Sequence, residues 1–258
     1  WRRNMTKYSF PEGAAVVFGG SGGLGSGVVN LLADSGVNVA FTYLTNEKAA
    51  KENLKSIENK GVEGLIEKVD LLNLEETTSF ANKAKQKFNR IHSVIFATGP
   101  FLHILPIMDA NPEDVYSTID TDVKGFYHVL KATIPILREG GGGSITALTT
   151  AAIHKYISTD GLSSVPKAGV QHLCTAIARE EGANGIRANC VAVGLIAVGL
   201  SQEIESPPGG ILDQWMQQVP LNRAGEPDEL FQVVAFLASD NAGYISGQSI
   251  PVDGGYSA

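Results

Sequence analysis

The chain is short of cysteine, of charge, of basic residues and of long apolar runs, and each shortage removes a class of protein. Two cysteines, Cys174 and Cys190, cannot build a disulfide framework or a four-cysteine metal centre. Both lie in apolar runs and read as buried thiols. Charged residues are 18%, below the roughly 25% usual for soluble domains. With hydrophobic residues at 43%, a disordered chain is excluded. Lys and Arg number 20 against 27 Asp and Glu, a net charge of −7. That balance lacks the basic face needed for nucleic acid or an anionic membrane. The longest apolar run, Val191–Leu200, spans ten residues with two glycines, about half of what a membrane-spanning helix needs. No secretory leader pattern is visible. Trp1–Asn4 read as residues placed ahead of a natural start at Met5, and a reducing, cytoplasmic setting is expected. No repeat or linker divides the chain, so residues 6–258 read as one domain.

Glycine, by contrast, is abundant, at 29 of 258 residues. Short runs rich in Val, Ile and Ala recur at Ala14–Phe18, Val37–Tyr43, Gly64–Val69, Ser93–Ala97, Ser144–Leu148, Arg187–Val191 and Ser249–Val252. They do not alternate strictly, as suits strands buried on both faces of a parallel sheet. Helical patterns lie between them at Leu24–Asp34, Glu47–Asn59, Glu75–Phe88, Pro112–Arg138, Ser164–Glu181 and Asp228–Ser239. The alternation predicts an α/β fold, a single doubly wound Rossmann-like domain with a seven-stranded parallel sheet and helices on both faces. Ligands of such sheets bind at the carboxyl ends of the strands. Chemistry is therefore sought in the loops Gly19–Gly23, Thr42–Asn46, Asp70–Asn73, Thr98–Asn111, Thr149–Ser163 and Ala192–Val219.

The first of these loops reads Gly19-Gly20-Ser21-Gly22-Gly23-Leu24-Gly25 and opens straight into an apolar helix. Glycines there permit a tight turn and let bare N–H groups reach a pyrophosphate at the helix N-terminus. With the spacing Gly19-x3-Gly23-x-Gly25, the chain resembles the short-chain dehydrogenase/reductase family almost end to end. Val69-Asp70-Leu71 is similar to the segment whose aspartate meets adenine. Gly99 keeps one residue of an Asn-Asn-Ala-Gly motif in which Ala97 and Thr98 replace others, and Phe18 stands where threonine is usual. Arg187–Val191, Pro220–Pro227, Ser246-Gly247 and Val252–Gly255 resemble further family segments. The resemblance implies NAD(P) binding through Gly19, Ser21, Gly23, Leu24, Gly25, Thr42, Asp70, Leu71, Gly99, Lys167 and Gly194. No acid follows the second strand in Ala40–Leu44 to hold a ribose diol, which tilts the expectation from NAD toward NADP. Lys48 is the nearest base. The family's Pro-Gly-x-x-x-Thr reads Val193-Gly194-Leu195-Ile196-Ala197-Val198, without the proline or the hydroxyl.

The family's catalytic set of Asn, Ser, Tyr and Lys maps onto Asp122, Thr150, Ser163 and Lys167, so only the lysine is retained. A serine cannot act as the phenol does, because its alkoxide is far too basic and its hydroxyl falls several ångströms short. Ordinary reduction of small ketones is therefore not expected. Ser163 also reads as a helix N-cap, with Pro166 tolerated in the first turn. His103, His154 and Tyr156 are other possible acids, or else packing and surface residues. Asp122 falls on the apolar stripe Val115, Ile119, Phe126, Leu130, Ile134. Lys167 falls on the stripe Ser163, Val170, Cys174, Ile177. The two read either as a buried structural or interface pair, or as a proton-handling pair below the nicotinamide.

Loss of the tyrosine with an aspartate at position 122 is similar to the 2,4-dienoyl-CoA reductase branch, which implies an acyl-CoA-type small-molecule substrate. The expected activity is that of an NAD(P)-dependent oxidoreductase with an altered active site. The alternative is an inert family member, serving as a non-catalytic subunit beside an active relative or as a nucleotide sensor. Apolar residues on a second face of the long helices (Tyr116, Val123, Tyr127, Val129, Leu173, Ala176, Ala178) predict an oligomer. The family's tetramers pair these same helices.

Overall fold

The computed structural model describes residues 8–99, 103–198 and 210–258. The expected start at Met5 and nearly all of Ser201–Gly210 lie outside the described residues. The strands are β1 (Ala14–Phe18), β2 (Asn38–Tyr43), β3 (Gly64–Lys68), β4 (Ile91–Phe96), β5 (Gly143–Thr150), β6 (Ile186–Val193) and β7 (Ser249–Val252). The helices are α1 (Gly23–Asp34), α2 (Glu47–Glu58), α3 (Leu74–Phe88), α4 (Pro112–Ile119), α5 (Gly125–Glu139), α6 (Gly161–Glu180), α7 (Ile211–Met216) and α8 (Pro227–Ala238). All strands run parallel in the order β3-β2-β1-β4-β5-β6-β7, a Rossmann-like sheet.

Burial on both faces explains the unalternated strands. On one face Phe18, Phe96 and Ile145 pack with Phe80 of α3, Phe126 of α5 and Val170 of α6. On the other, Val17, Phe41 and Val191 pack with Leu32 of α1 and Leu230 and Val234 of α8. Cys174 and Cys190 are buried free thiols, as expected. Strand order reverses between β1 and β4, so a crevice opens beyond their carboxyl ends. Gly19 leaves β1 there, and Ala97–Gly99 leave β4.

Two helices depart from the sequence expectation at the site itself. Pro112–Arg138 is not one α-helix, because a π turn at Asp120–Lys124 joins α4 to α5. The wider turn rotates α4 out of phase with α5. Thr118 is buried in place of Ile119, which is 38% exposed, while Val129 is in the core rather than on a second apolar face. Likewise α6 begins three residues before Ser164, with Asp160 as its N-cap. The Asp160 carbonyl accepts from the backbone N–H of Ser163 and Ser164, which starts the helix there. Ser163 is thus inside the first turn and is not the cap. Pro166 falls in the second turn, where it removes a helical bond to the Leu162 carbonyl.

Candidate active site

The glycine loop is shaped so that side chains would close it. Gly19 has φ +90°, and a Cβ there would lie 2.7 Å from Thr98 Cγ2. A Cβ on Gly25 would stand 2.1 Å from the Gly19 carbonyl oxygen. Glycine at both positions lets α1 start directly against the end of β1. Gly22 is the N-cap of α1 and offers no side chain to the first turn, which also carries no acid. The N–H groups of Gly23, Leu24 and Gly25 therefore point at the crevice, where a pyrophosphate would satisfy them. Asn53 of α2 braces the loop through Gly20 O at 3.0 Å and accepts from Ser26 Oγ at 2.8 Å. Ser21, half-buried, lies in the turn itself.

Around this cradle the expected cofactor residues take different parts. Thr42 is buried, and its hydroxyl accepts from Gly19 N–H at 3.1 Å, so it shapes the loop from beneath. Asp70 Oδ1 accepts from Leu72 N–H at 2.9 Å, bending the chain after β3. Leu71 lies against Gly125, and its carbonyl is bonded to His128 Nδ1 at 2.7 Å. Gly194 is demanded by packing, since a Cβ there would lie 2.5 Å from Asp253 Cα.

The expected pair meets. Lys167 Nζ donates to Asp122 Oδ1 at 2.9 Å and to the Thr98 carbonyl at 2.7 Å. Lys167 is 9% and Asp122 1% exposed. The π turn carries Asp122 inward, and close packing of Gly169 on Val123 draws α6 onto it, where a Cβ would leave only 2.9 Å. Burial pushes the Asp122 carboxyl above the ordinary range, against the ammonium that pulls it down. The Phe96 ring lies 5.4 Å from Nζ and closes the pair from below. Two of the three ammonium protons are committed. The third lies on the side of Gly99, where an added methyl would meet, among the described residues, nothing nearer than Nζ at 4.0 Å.

Thr150 ends β5, and its hydroxyl oxygen accepts from Ala152 N–H at 3.2 Å, leaving its own proton free to donate. Ser163 lies one turn before Lys167 on the same face of α6. His154 is bound to Ser249 on β7 at 3.0 Å, and Tyr156 is 56% exposed. His103 is also exposed.

Sequence reasoning missed Asp160 and Tyr256. Burial pushes the Asp160 carboxyl up to about 7, against the neighbouring Ser163 hydroxyl that pulls it down. Tyr256 is buried beside Ala151 and Val219. Burial raises its phenol, and so do the charges of Asp160 and Asp253. The Asp160-Gly161 pair before an apolar stripe was the available signal, because aspartate caps helices as well as serine does.

Comparison with known proteins places the fold in a family. Residues 19–257 match the family model described as Enoyl-(Acyl carrier protein) reductase. A 3-oxoacyl-[acyl-carrier-protein] reductase FabG from Staphylococcus epidermidis is 31% identical over 244 residues, covering 94% of this chain and 98% of the relative. Its counterpart from Chlamydia muridarum is 30% identical over 243 residues, covering 94% and 96%. A short-chain type dehydrogenase/reductase structure from Mycobacterium ulcerans superposes with a TM-score of 0.90 at 30% identity, covering 96% of this chain and 91% of that one. With its glycine cradle, parallel sheet and retained lysine, the chain belongs to the short-chain dehydrogenase/reductase family of oxidoreductases.

Proposed function

We propose that the protein is an NAD(P)H-dependent reductase of an acyl thioester, of the acyl-CoA type, working without the family's tyrosine. The observation that carries this reading is the buried Asp122–Lys167 pair set beside an open glycine cradle. The first-turn N–H groups of α1 would hold the pyrophosphate. Lys167 would give its third proton to a ribose hydroxyl in the room toward Gly99, and Asp70 and Leu71 would flank the adenine. The absence of an acid after β2, with Thr42 turned inward, supports NADP over NAD. When bound, the reduced nicotinamide supplies a hydride. Thr150 orients the substrate carbonyl with its free hydroxyl proton. Asp122 fixes the ammonium where the ribose needs it and handles protons through Lys167.

The test is calorimetry with NADPH and NADH, then NADPH oxidation with acetoacetyl-CoA, 2,4-hexadienoyl-CoA and a small ketone. Nucleotide binding and turnover of a thioester, with the small ketone untouched, are expected. No binding at millimolar nucleotide would overturn the cofactor assignment. Binding without turnover of either thioester would overturn the reductase reading and leave a nucleotide-binding, non-catalytic family member.

The chain also carries an apolar face that includes Tyr116, Ile119, Tyr127 and Val165, all exposed. A second copy packed through α4, α5 and α6 would cover it. Light scattering should give a multiple of 27.3 kDa, whereas a monodisperse monomer at micromolar concentration would refute the association.

A further inference from the structure

A polar hollow lies at the amino ends of the strands, at the opposite end of the sheet from the glycine cradle. Its volume is about 170 Å³, and its lining includes Arg90, His92, Ser144, Arg187, Asp240 and the Gly141–Gly143 turn. That is less than the roughly 300–1,000 Å³ of a pocket for a drug-sized ligand, so the hollow suits a ligand of a few atoms. Neither the nucleotide nor the thioester, as placed above, touches it.

Close backbone packing builds the wall. A Cβ on Gly142 would lie 2.4 Å from the Gly185 carbonyl oxygen, and one on Gly143 would lie 2.5 Å from that of His92. The turn before β5 is thereby pressed between the starts of β4 and β6. The N–H groups of Gly141, Gly142 and Gly143 are spent on the carbonyls of Arg138, Leu137 and Gly185. Donors for a ligand are therefore side chains. Arg90 supplies one, because its Nε is buried and has no partner among the described residues. Arg187 gives its Nη groups to the carbonyls of Ile245, Leu237 and Ser239. Those partners are neutral and leave its charge standing. Against the two guanidiniums the lining sets one carboxylate, the exposed Asp240, so positive charge is in excess.

His92 supplies an acceptor. It is 2% exposed. Its Nδ1 lies 2.9 Å from Ser93 Oγ, whose one proton goes to the Ala238 carbonyl at 2.8 Å. Nδ1 is therefore the N–H, and Nε2 carries a lone pair. Nε2 is buried and has no partner among the described residues. Burial, and then the Arg90 charge, push the ring down to about 4, so it is uncharged at neutral pH. An unpaired donor and an unpaired acceptor on one wall are costly. A ligand that satisfies both must bring an anionic oxygen for Arg90 and an O–H for His92.

We propose that this hollow is a site for inorganic phosphate in a hydrogen form, held by Arg90 through an anionic oxygen and by His92 Nε2 through the P–O–H. Sulfate and a carboxylate offer the first bond at neutral pH but not the second. Water offers an O–H without the charge. Occupancy ties the amino ends of β4, β5 and β6 to the end of α8, so phosphate stabilises the folded chain by mass action. The site is independent of the reductase reading.

The experiment is calorimetry at neutral pH in a phosphate-free buffer, with sodium phosphate, sodium sulfate and sodium acetate as probes. Wild type, Arg90→Gln and Gly22→Asp are compared, and nitrogen-15 NMR follows the His92 ring through the phosphate titration. Phosphate should bind wild type with a Kd of about 1 mM or tighter, within the ceiling for so small a ligand, and should shift the Nε2 resonance. Sulfate and acetate should bind at least about tenfold more weakly, the worth of the missing hydrogen bond. Arg90→Gln removes a buried donor that has no partner, so the fold should survive, while phosphate weakens roughly 10- to 100-fold. Gly22→Asp, which obstructs the cradle, should bind phosphate at the amino ends as wild type does. Phosphate binding that survives Arg90→Gln but not Gly22→Asp would put the ion on the glycine cradle and overturn the site. Equal affinity for sulfate would overturn the bond to His92. A hollow filled by water alone, with neither heat nor an Nε2 shift at millimolar phosphate, would overturn the proposal as a whole.

Discussion

The cofactor side and the catalytic side of one crevice differ in what they preserve. At the end of β1 the family's glycine spacing is intact, because a Cβ at Gly19 or Gly25 would collide with neighbouring atoms. Across the crevice, α6 and the π turn before α5 bring the side chains of Lys167 and Asp122 within 2.9 Å. Backbone shape constrains the first site and side-chain chemistry the second. A site made of backbone tolerates no added atoms. A site made of side chains can exchange them if partners are supplied. Here Asp122 and Lys167 supply each other's partner in a buried ion pair.

The largest effect expected is at the cradle. Gly25→Val places atoms within about 2 Å of the Gly19 carbonyl, as the 2.1 Å approach of a bare Cβ shows. Overpacking of this kind costs about 1–3 kcal/mol or more, and the loop must open to relieve it. NADPH affinity measured by calorimetry should fall at least about 10²-fold. Near-normal affinity would mean that the nucleotide does not lie on this loop, and the comparison would collapse.

Next is the ion pair. Lys167→Met leaves Asp122 buried without its cation, which typically costs about 3–5 kcal/mol. The carboxyl, already raised by burial, would then rise further. The raised folded value means that stability is complete at low pH and is lost as pH climbs through it. The loss should therefore grow with pH in urea melts. Adding Asp122→Asn should recover most of it, because an amide needs no counter-charge. Single and double variants of equal stability would show that the pair is solvated and would remove it from the argument.

These cases show what was legible beforehand. The parallel sheet, its two covered faces and the crevice position follow from strand composition and the order of elements. Asp122 and Lys167 followed from stripe spacing, and they meet as expected. The phase of α4 did not, because a π turn adds a residue without any marker in Asp120–Lys124. Nor did Asp160, because a capping role accounted for Ser163 equally well from sequence, and the choice depends on which carbonyl collects the first N–H groups. Thr42 read as a cofactor contact, and only the fold shows its hydroxyl beneath Gly19. A period reveals which side of a helix is inward, whereas a hydrogen bond across the fold has no local signature.

The amino ends of the strands differ from the carboxyl ends as well. His92, 2% exposed on β4, is pushed down to about 4 by burial and then by Arg90. A histidine with a lowered folded value contributes stability that is present above its unfolded value of about 6.5 and lost as pH falls toward 4. The loss is of the order of 3 kcal/mol. Asp160 at the other end behaves oppositely, because its raised value removes stability as pH rises through about 7. Thermal melts between about pH 4 and 7 should show His92→Asn removing a rise of stability with pH and Asp160→Asn removing a fall, slopes of opposite sign in overlapping windows. If both variants changed the slope in the same sense, the burial assigned to one of the two groups would be wrong.

The smallest effect is the most discriminating about the cradle. Gly22 caps α1 with φ −77° and ψ 168°, an extended conformation open to any residue. Among the described residues a Cβ there meets only the Gly19 oxygen, at an ordinary 3.6 Å. Nothing steric demands glycine at this position. An aspartate would accept first-turn N–H groups and favour the positive end of the helix, a gain of a few tenths of a kcal/mol over glycine. For a domain of this size that is about 1 °C in Tm. The same carboxylate would occupy the donors that the pyrophosphate needs and would repel it. Gly22→Asp should therefore raise the Tm of the nucleotide-free protein by about 1 °C while weakening NADPH roughly tenfold or more, equivalent to about 1.4 kcal/mol. Opposite signs in the two measurements would show that the bare helix end is kept for the ligand at a small cost in stability. A stabilised protein with unchanged NADPH affinity would place the pyrophosphate somewhere other than the start of α1.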